Sequence, residues 1–139
     1  HAQVYGGHDP GVCAHSFAAV VLWFLGRPDS ALAELKTMNR LAEQLAHPFS
    51  RIMALNSECA VHQMRGDTTR TRRTAEHALA LSAEYGFEHY RGTGRIFRGW
   101  VRAAEGEEAG VEELRSGLAD WRATGARWIS AGNSLPAGL

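Results

Sequence analysis

The chain has 139 residues, of which 45% are hydrophobic and 22% charged, a balance typical of one globular domain with a sizeable core. Lys plus Arg and Asp plus Glu both number 15, so the net charge gives no reason to expect a nucleic acid or a membrane as partner. Two cysteines 46 residues apart do not make a disulfide framework, and the longest apolar run, nine residues over 17–25, is too short to cross a bilayer.

The first segment with chemical interest is residues 5–15, which read YGGHDPGVCAH. It contains four side chains of the kinds that bind zinc, namely His8, Asp9, Cys13 and His15. None belongs to a specific signature such as a paired CxxC or HExxH. Asp9 followed by Pro10 also fits a helix N-terminus, because aspartate caps free amides and proline suits the first turn. We therefore favour a cap followed by a core helix, and we expect no metal or other cofactor.

Small turn residues recur along the chain with a period of forty. Gly26, Gly66 and Gly106 form one set, and Gly6, Ala46, Gly86 and Ala126 form a second set with the same step. Two interleaved sets at one period indicate a modular chain.

Between these markers the apolar residues have helical spacing. Phe17, Val20, Val21 and Phe24 follow an i, i+3, i+4, i+7 pattern before the first glycine, and a valine recurs at 21, 61 and 101. We predict helices over 11–25, 29–45, 49–65, 69–85, 89–105 and 109–124, with the three valines in equivalent buried positions. No segment has the alternation of a strand.

The predicted fold is all-α, an α-solenoid of about three stacked antiparallel helix hairpins. The helical repeat domain covers 1–126, with repeats at about 9–46, 47–86 and 87–126. Residues 127–139 are expected to begin a further helix or to form an irregular tail. Because the chain begins with His1 and shows no signal peptide, we expect a cytoplasmic piece of a longer polypeptide.

The repeats resemble tetratricopeptide repeats in the placement of small residues. Ala19, Cys59 and Gly99 occupy the small position of each first helix, and Ala31 and Pro48 match the alanine and the exit proline of the second helix. The period is forty instead of the usual 34, and Thr71 and Val111 replace the alanine in the later repeats. HEAT-type repeats, whose period includes forty, are the alternative.

A closer resemblance is to the C-terminal repeat arrays of large bacterial signalling proteins. In those proteins a class III adenylate or guanylate cyclase domain, or a transcriptional regulator, precedes an AAA-type ATPase and tetratricopeptide-like repeats. The strings YGGHDPGVCAHSFAAVVLWFLGRPDSAL, HPFS, HQMRGD and RIFRGW carry the resemblance over 4–124. It implies a regulatory, protein-binding role for this segment.

No phosphate loop, nucleophile elbow or paired-carboxylate motif is found, so we expect no enzymatic activity in this chain. The densest group of charged residues is Arg91, Arg95, Arg98 and Arg102, which share one face of a helix. With Glu58 and His62 at equivalent positions of the preceding repeat, this arginine stripe could bind an acidic segment or a phosphate. The alternative is a solvated face, or salt bridges to neighbouring acids.

The tetratricopeptide register favours a different surface. It places Trp23, Asn56, Gln63 and Trp100 in the concave groove, and this is the alternative binding site.

Three classes of function follow from these patterns. The first is a protein-interaction or regulatory module whose partners are a protein segment that could be acidic, other domains of the parent chain, or a second copy meeting the uncapped repeat ends. The second is a sensor that binds a small ligand between hairpins. The third, a metal-binding or nucleic-acid-binding domain, would need a convergent histidine and cysteine site or binding that depends strongly on salt.

Overall fold

A computed structural model describes residues 7–125 and shows six helices in that range. They are α1 (Pro10–Phe24), α2 (Pro28–Leu45), α3 (Pro48–Met64), α4 (Thr68–Tyr85), α5 (Glu88–Ala104) and α6 (Ala109–Ala123). Every predicted helix is present with bounds within one residue, and no described residue lies in a strand, so the all-α prediction is confirmed. The predicted tail, 127–139, lies outside the described residues.

Local signals in the sequence account for the helix ends. The Asp9 carboxylate caps α1 by accepting hydrogen bonds from the amides of Gly11 at 2.8 Å and Val12 at 3.2 Å. Proline stands in the first turn of α1, α2 and α3. The marker glycines at 26, 66, 86 and 106 have positive φ, for example +70° at Gly26, and Ala46 adopts φ +50° at the position where the next repeat has Gly86. Within residues 7–125 the forty-residue markers are therefore the points where the helices end.

The helices pack as three successive pairs. Each helix contacts the next one along the chain, and α3 also contacts both α1 and α5. Over the described residues α2 makes no comparable contact with α4, nor α4 with α6. The odd-numbered helices thus form a continuous row, whereas α2 and α4 lie apart with α3 between them.

The core lies mainly between successive pairs. Val61 of α3 is fully buried in a cluster with Val12, Leu35 and Met38 of the first pair. Phe97 of α5 is buried in a second cluster with residues of α3 and α4. The second and third pairs therefore each bury one face of their first helix against the preceding pair.

The prediction for the valine positions is correct for two members and wrong for the third. Val61 and Val101 are fully buried, but Val21 is 53% exposed, together with Phe17 at 57% and Phe24 at 62%. The reason is that no helix pair within residues 7–125 packs on the side of α1 that corresponds to the buried faces of α3 and α5. We call the surface formed by Phe17, Val21, Phe24 and Leu25 the α1 face.

The third pair is packed more closely than a helix pair with ordinary side chains allows. A Cβ atom on Gly110 of α6 would lie 2.3 Å from the backbone nitrogen of Ala103 in α5, and one on Gly99 would lie 2.5 Å from that of Leu114. Both distances are far below van der Waals contact. Glycine is required at these positions because backbone touches backbone there.

Candidate functional site

The arginine stripe predicted from the sequence is paired inside the chain, and three of its four residues contact acids of α6 or of the turn before it. Arg95 pairs with Asp120 of α6, and Arg91 pairs with Glu88 in its own helix at 2.9 Å. Arg98 Nε donates to Glu113 at 2.6 Å. The salt-bridge alternative therefore describes these side chains better than a free docking surface does.

Glu113 is the centre of this arrangement. Its side chain is only 8% exposed and accepts hydrogen bonds from both Arg98 and Arg102, the latter at 2.8 Å. Arg102 also donates to Glu107 at 2.7 Å. Burial alone would raise the pKa of Glu113, but the hydrogen bonds and charges of the two guanidinium groups outweigh it and hold the pKa below its ordinary value. These arginines join α5 to α6 and are not free to bind a partner in this conformation.

Glu58 and His62, the other members of the predicted site, lie elsewhere. The Glu58 carboxylate accepts hydrogen bonds from Asn39 Nδ2 at 3.1 Å and from His62 Nε2 at 3.4 Å. Burial would raise the pKa of Glu58, yet these hydrogen bonds and the nearby imidazoles bring it below its ordinary value. The acids that pair with the stripe belong to α5, α6 and the turn between them, so Glu58 is not their counterion.

Glu58 instead lies in a groove between α2 and α4, with α3 as its floor. The centre is a cavity of about 330 Å³. Three helices line this cavity. The floor consists of Arg51, Ala54, Leu55 and Glu58 of α3. One wall consists of Asn39, Ala42 and Glu43 of α2, and the other of Arg70, Arg73, Thr74 and His77 of α4. On each helix these positions follow an i, i+3, i+4 pattern, continued to i+7 on α3 and α4, so each helix presents one face to the cavity.

Two further cavities share residues with the first and extend it in both directions. One, of about 320 Å³, shares Arg51 and His77 and reaches Tyr85. The other, of about 580 Å³, shares Glu58 and continues to His62. We call the three together the α2–α4 groove.

The α2–α4 groove carries an excess of positive charge. Its lining includes five basic side chains, Lys36, Arg40, Arg51, Arg70 and Arg73, against two acidic ones, Glu43 and Glu58. Arg70 pairs with Asp67 at 2.8 Å, but the other four basic residues take part in no ion pair within residues 7–125. The groove therefore holds cations whose bonding capacity is not satisfied by the fold.

Comparison of equivalent positions shows why the groove is open beside α3. Glu58 of α3 corresponds to Arg98 of α5, forty residues later, and Arg73 of α4 corresponds to Glu113 of α6. The acidic and the basic residue have thus exchanged helices between the second pair and the third. Arg98 and Glu113 are in direct contact because glycines bring α5 and α6 together. Glu58 and Arg73 make no such pair and line the cavity instead.

The alternative concave positions are not assembled into this groove. Trp23, Asn56, Gln63 and Trp100 are all partly buried, and none lines the central cavity. Trp23 packs against the first core cluster. The Asn56 side-chain oxygen is buried and has no hydrogen-bond partner among residues 7–125. These residues form no pocket together among the cavities described above.

The four potential metal ligands near the N-terminus have separate roles. Asp9 caps α1, His8 stacks on Phe49 with ring centroids 5.9 Å apart, and His15 Nδ1 donates to Glu34 at 2.5 Å. Cys13 is half-buried, and its burial raises the pKa of the thiol. Within residues 7–125 no three His, Cys, Asp or Glu side chains are placed to hold a metal ion.

The sequence predictions missed several groove residues, chiefly Lys36, Arg40, Arg51, Arg73 and His77. A signal was available, because Lys36 and Arg40 are four residues apart, and Arg70, Arg73 and His77 are three and four apart. These patterns are less dense than the stripe in α5. Whether they face each other depends on the packing of three helices, which spacing within one helix does not show.

Comparison with known proteins gives one informative similarity and no family assignment. The chain is 28% identical over 123 residues to an uncharacterized protein of Rhizobium meliloti (strain 1021), and the alignment covers 88% of this chain but 12% of that relative. This chain thus matches a small part of a much longer protein. No protein-family profile matches, and no solved structure does. In the part of the chain with described structure, no helix combines the length and the apolar character that a bilayer crossing requires.

Proposed function

We propose that this chain is a non-catalytic protein-interaction or regulatory module, a tetratricopeptide-like solenoid within a larger cytoplasmic bacterial signalling protein. The continuous row of α1, α3 and α5 and the positive-φ glycines at forty-residue steps support the solenoid. Buried small residues, Ala19 and Cys59, stand at the small positions of the repeat. The resemblance to cyclase-linked and ATPase-linked arrays suggests the class of parent protein.

The observation that carries the proposal is the α1 face. Its residues Val21 and Phe17 correspond to Val61 and Ser57 of α3 and to Val101 and Phe97 of α5. Val61 and Phe97 are buried against the preceding helix pair and Val101 is fully buried, whereas Phe17 and Val21 are more than half exposed. An exposed apolar patch of this kind marks an interaction site.

The internal repeats also indicate what binds there. Both equivalent faces pack on a helix hairpin, so the α1 face is shaped to accept another hairpin. In the isolated chain the available hairpin is a second copy, and we expect a dimer that uses this face on at least one protomer.

Analytical ultracentrifugation can test this expectation. The wild type should dimerise with rising concentration, and the double variant Phe17→Ser, Phe24→Ser should weaken the dimer by roughly tenfold or more, because each replacement removes about 1.5–3 kcal/mol of apolar burial. Both side chains are exposed in the monomer, so folding should be retained.

A matched control is the double variant Leu45→Ser, Tyr85→Ser, whose side chains are 42% and 48% exposed at the ends of α2 and α4. It should dimerise like the wild type. A monodisperse monomer at high concentration, or equal loss in both double variants, would contradict the proposal.

A second candidate function is a small-ligand sensor, which the central cavity of about 330 Å³ favours. That volume falls within the range of small-molecule pockets. The experiment described below separates this function from peptide binding.

A further inference from the structure

We propose that the α2–α4 groove binds an extended acidic peptide segment through Arg51 and Arg73. The inference rests on the proposed role as an interaction module and adds the chemistry of one partner. It uses a surface distinct from the α1 face, so the two proposals can fail separately.

The first support is the unused positive charge in the groove. Arg51 and Arg73 both line the central cavity, on α3 and α4, and neither has a carboxylate partner in the described part of the chain. A guanidinium group binds a carboxylate through two parallel hydrogen bonds and stays charged at any working pH. Lys36 and Arg40 extend the positive charge along α2.

The second support is that the two acidic residues do not cancel this charge. Glu58 keeps its negative charge but is hydrogen-bonded to Asn39 and His62 and forms no ion pair with Arg51 or Arg73, so four cations that are unpaired within residues 7–125 face two carboxylates. Glu43 is exposed, where water screens its charge. The groove therefore keeps a net attraction for anions.

The third support is the length of the groove. The three cavities share lining residues and follow α3 from Arg51 to His62. Eleven residues of helix rise about 17 Å, which an extended chain spans with about five residues. A small anion would occupy only one part of such a groove, whereas a peptide can use all of it.

The floor of the groove adds little apolar surface. Ala54 and Leu55 of α3 and Ala42 of α2 line the central cavity, but each is less than a tenth exposed. Charged side chains therefore dominate what the groove presents to a ligand, and recognition of an acidic peptide depends on the arginines.

The test is fluorescence anisotropy with a labelled six-residue peptide of alternating aspartate and alanine, and with the same peptide carrying asparagine in place of aspartate. The wild-type chain should bind the acidic peptide and not the neutral one. The double variant Arg51→Gln, Arg73→Gln should bind it roughly tenfold or more weakly, as expected for loss of charge-assisted hydrogen bonds.

The control is Arg115→Gln, Arg122→Gln, which removes the same charge from exposed positions of α6. It should bind the peptide within about twofold of the wild type, since remote surface charges are screened by salt. Equal weakening by both double variants, or no binding by the wild type, would overturn the proposal.

A parallel titration with succinate and with inorganic phosphate distinguishes a peptide site from a small-anion site. If succinate and phosphate both bind at least about tenfold more weakly than the peptide, the result supports a site for an extended peptide. If either binds as tightly as the peptide, the peptide assignment is overturned in favour of a small-ligand sensor. Dimerisation is measured separately, so loss of peptide binding in a chain that still dimerises rejects only this inference.

Discussion

At Gly110 the absence of a side chain allows α6 to rest on the backbone of α5. Gly99 provides the matching contact from α5 to α6. The sequence pattern placed Gly99 at the small position of a first helix and assigned no role to Gly110. Their necessity was not predictable, because it depends on how closely two helix axes approach, and neither helix alone contains that information.

Replacing Gly110 by alanine should destabilise the chain by about 1–3 kcal/mol, as over-packing of a close contact does. The added Cβ would lie 2.3 Å from the Ala103 nitrogen, so one backbone must move. Urea denaturation of the variant and the wild type measures the change. In an uncrowded helix the same replacement stabilises by up to about 1 kcal/mol, so a gain in stability would show that the close contact is absent.

At the scale of the elements, Glu113 connects α5 to α6 by accepting from Arg98 and Arg102. We expect Glu113→Gln to lower Tm, because an amide leaves Arg98 without a counterion and leaves Arg102 with Glu107 alone. The matched control is Glu112→Gln, the exposed neighbour in the same helix, which should change Tm little. Equal Tm values for the two variants, measured by circular dichroism, would show that Arg98 and Arg102 are solvated and that their contacts with Glu113 do not stabilise the fold.

The candidate site could be predicted from sequence only in part. The four arginines do share a face, and the salt-bridge alternative was correct in kind. The acidic partners of the arginine stripe could have been anticipated, since Glu113 and Asp120 are seven residues apart on α6 and therefore share a face too. The α2–α4 groove could not be predicted from the sequence, because it forms only where α2 and α4 lie apart on either side of α3.

For the whole molecule, the sequence predicted the all-α class and the six helices of residues 7–125 because the forty-residue period is strong and the helix ends carry their own signals. Proline, Asp9 and the marker glycines act within a few residues of where they stand, so each boundary could be located locally. The burial predicted for Val21 was wrong because burial, unlike a helix end, is not determined by neighbouring residues in the sequence. Burial depends on what packs against a face, and an apolar pattern shows only that the face is suited to being covered.

Acid should destabilise the chain. The pKa values of Glu113 and Glu58 are below the ordinary 4.5, and burial lowers the pKa of His89 below 6.5. Each group therefore binds fewer protons in the folded state than in the unfolded state, so unfolding takes up protons and the free energy of unfolding falls as pH falls. The loss should begin below about pH 6.5 through His89 and steepen below about pH 4.5 through the carboxylates.

Urea denaturation at pH 7, 5.5 and 4 measures this dependence at a concentration low enough to exclude dimers. Glu113→Gln should flatten the steep part of the curve, because that group no longer titrates. A midpoint that is constant or rises between pH 7 and pH 4 would contradict the assignment.

The α1 face has a consequence for colloidal behaviour. Basic and acidic residues balance at 15 each, and the isoelectric point is about 7.2. Near neutral pH two chains therefore approach one another without the mutual repulsion that keeps most proteins dispersed, while Phe17, Phe24 and their neighbours supply attraction. Solubility should be lowest close to neutrality and should rise on the alkaline side, where the carboxylates stay charged and the fold keeps its stability.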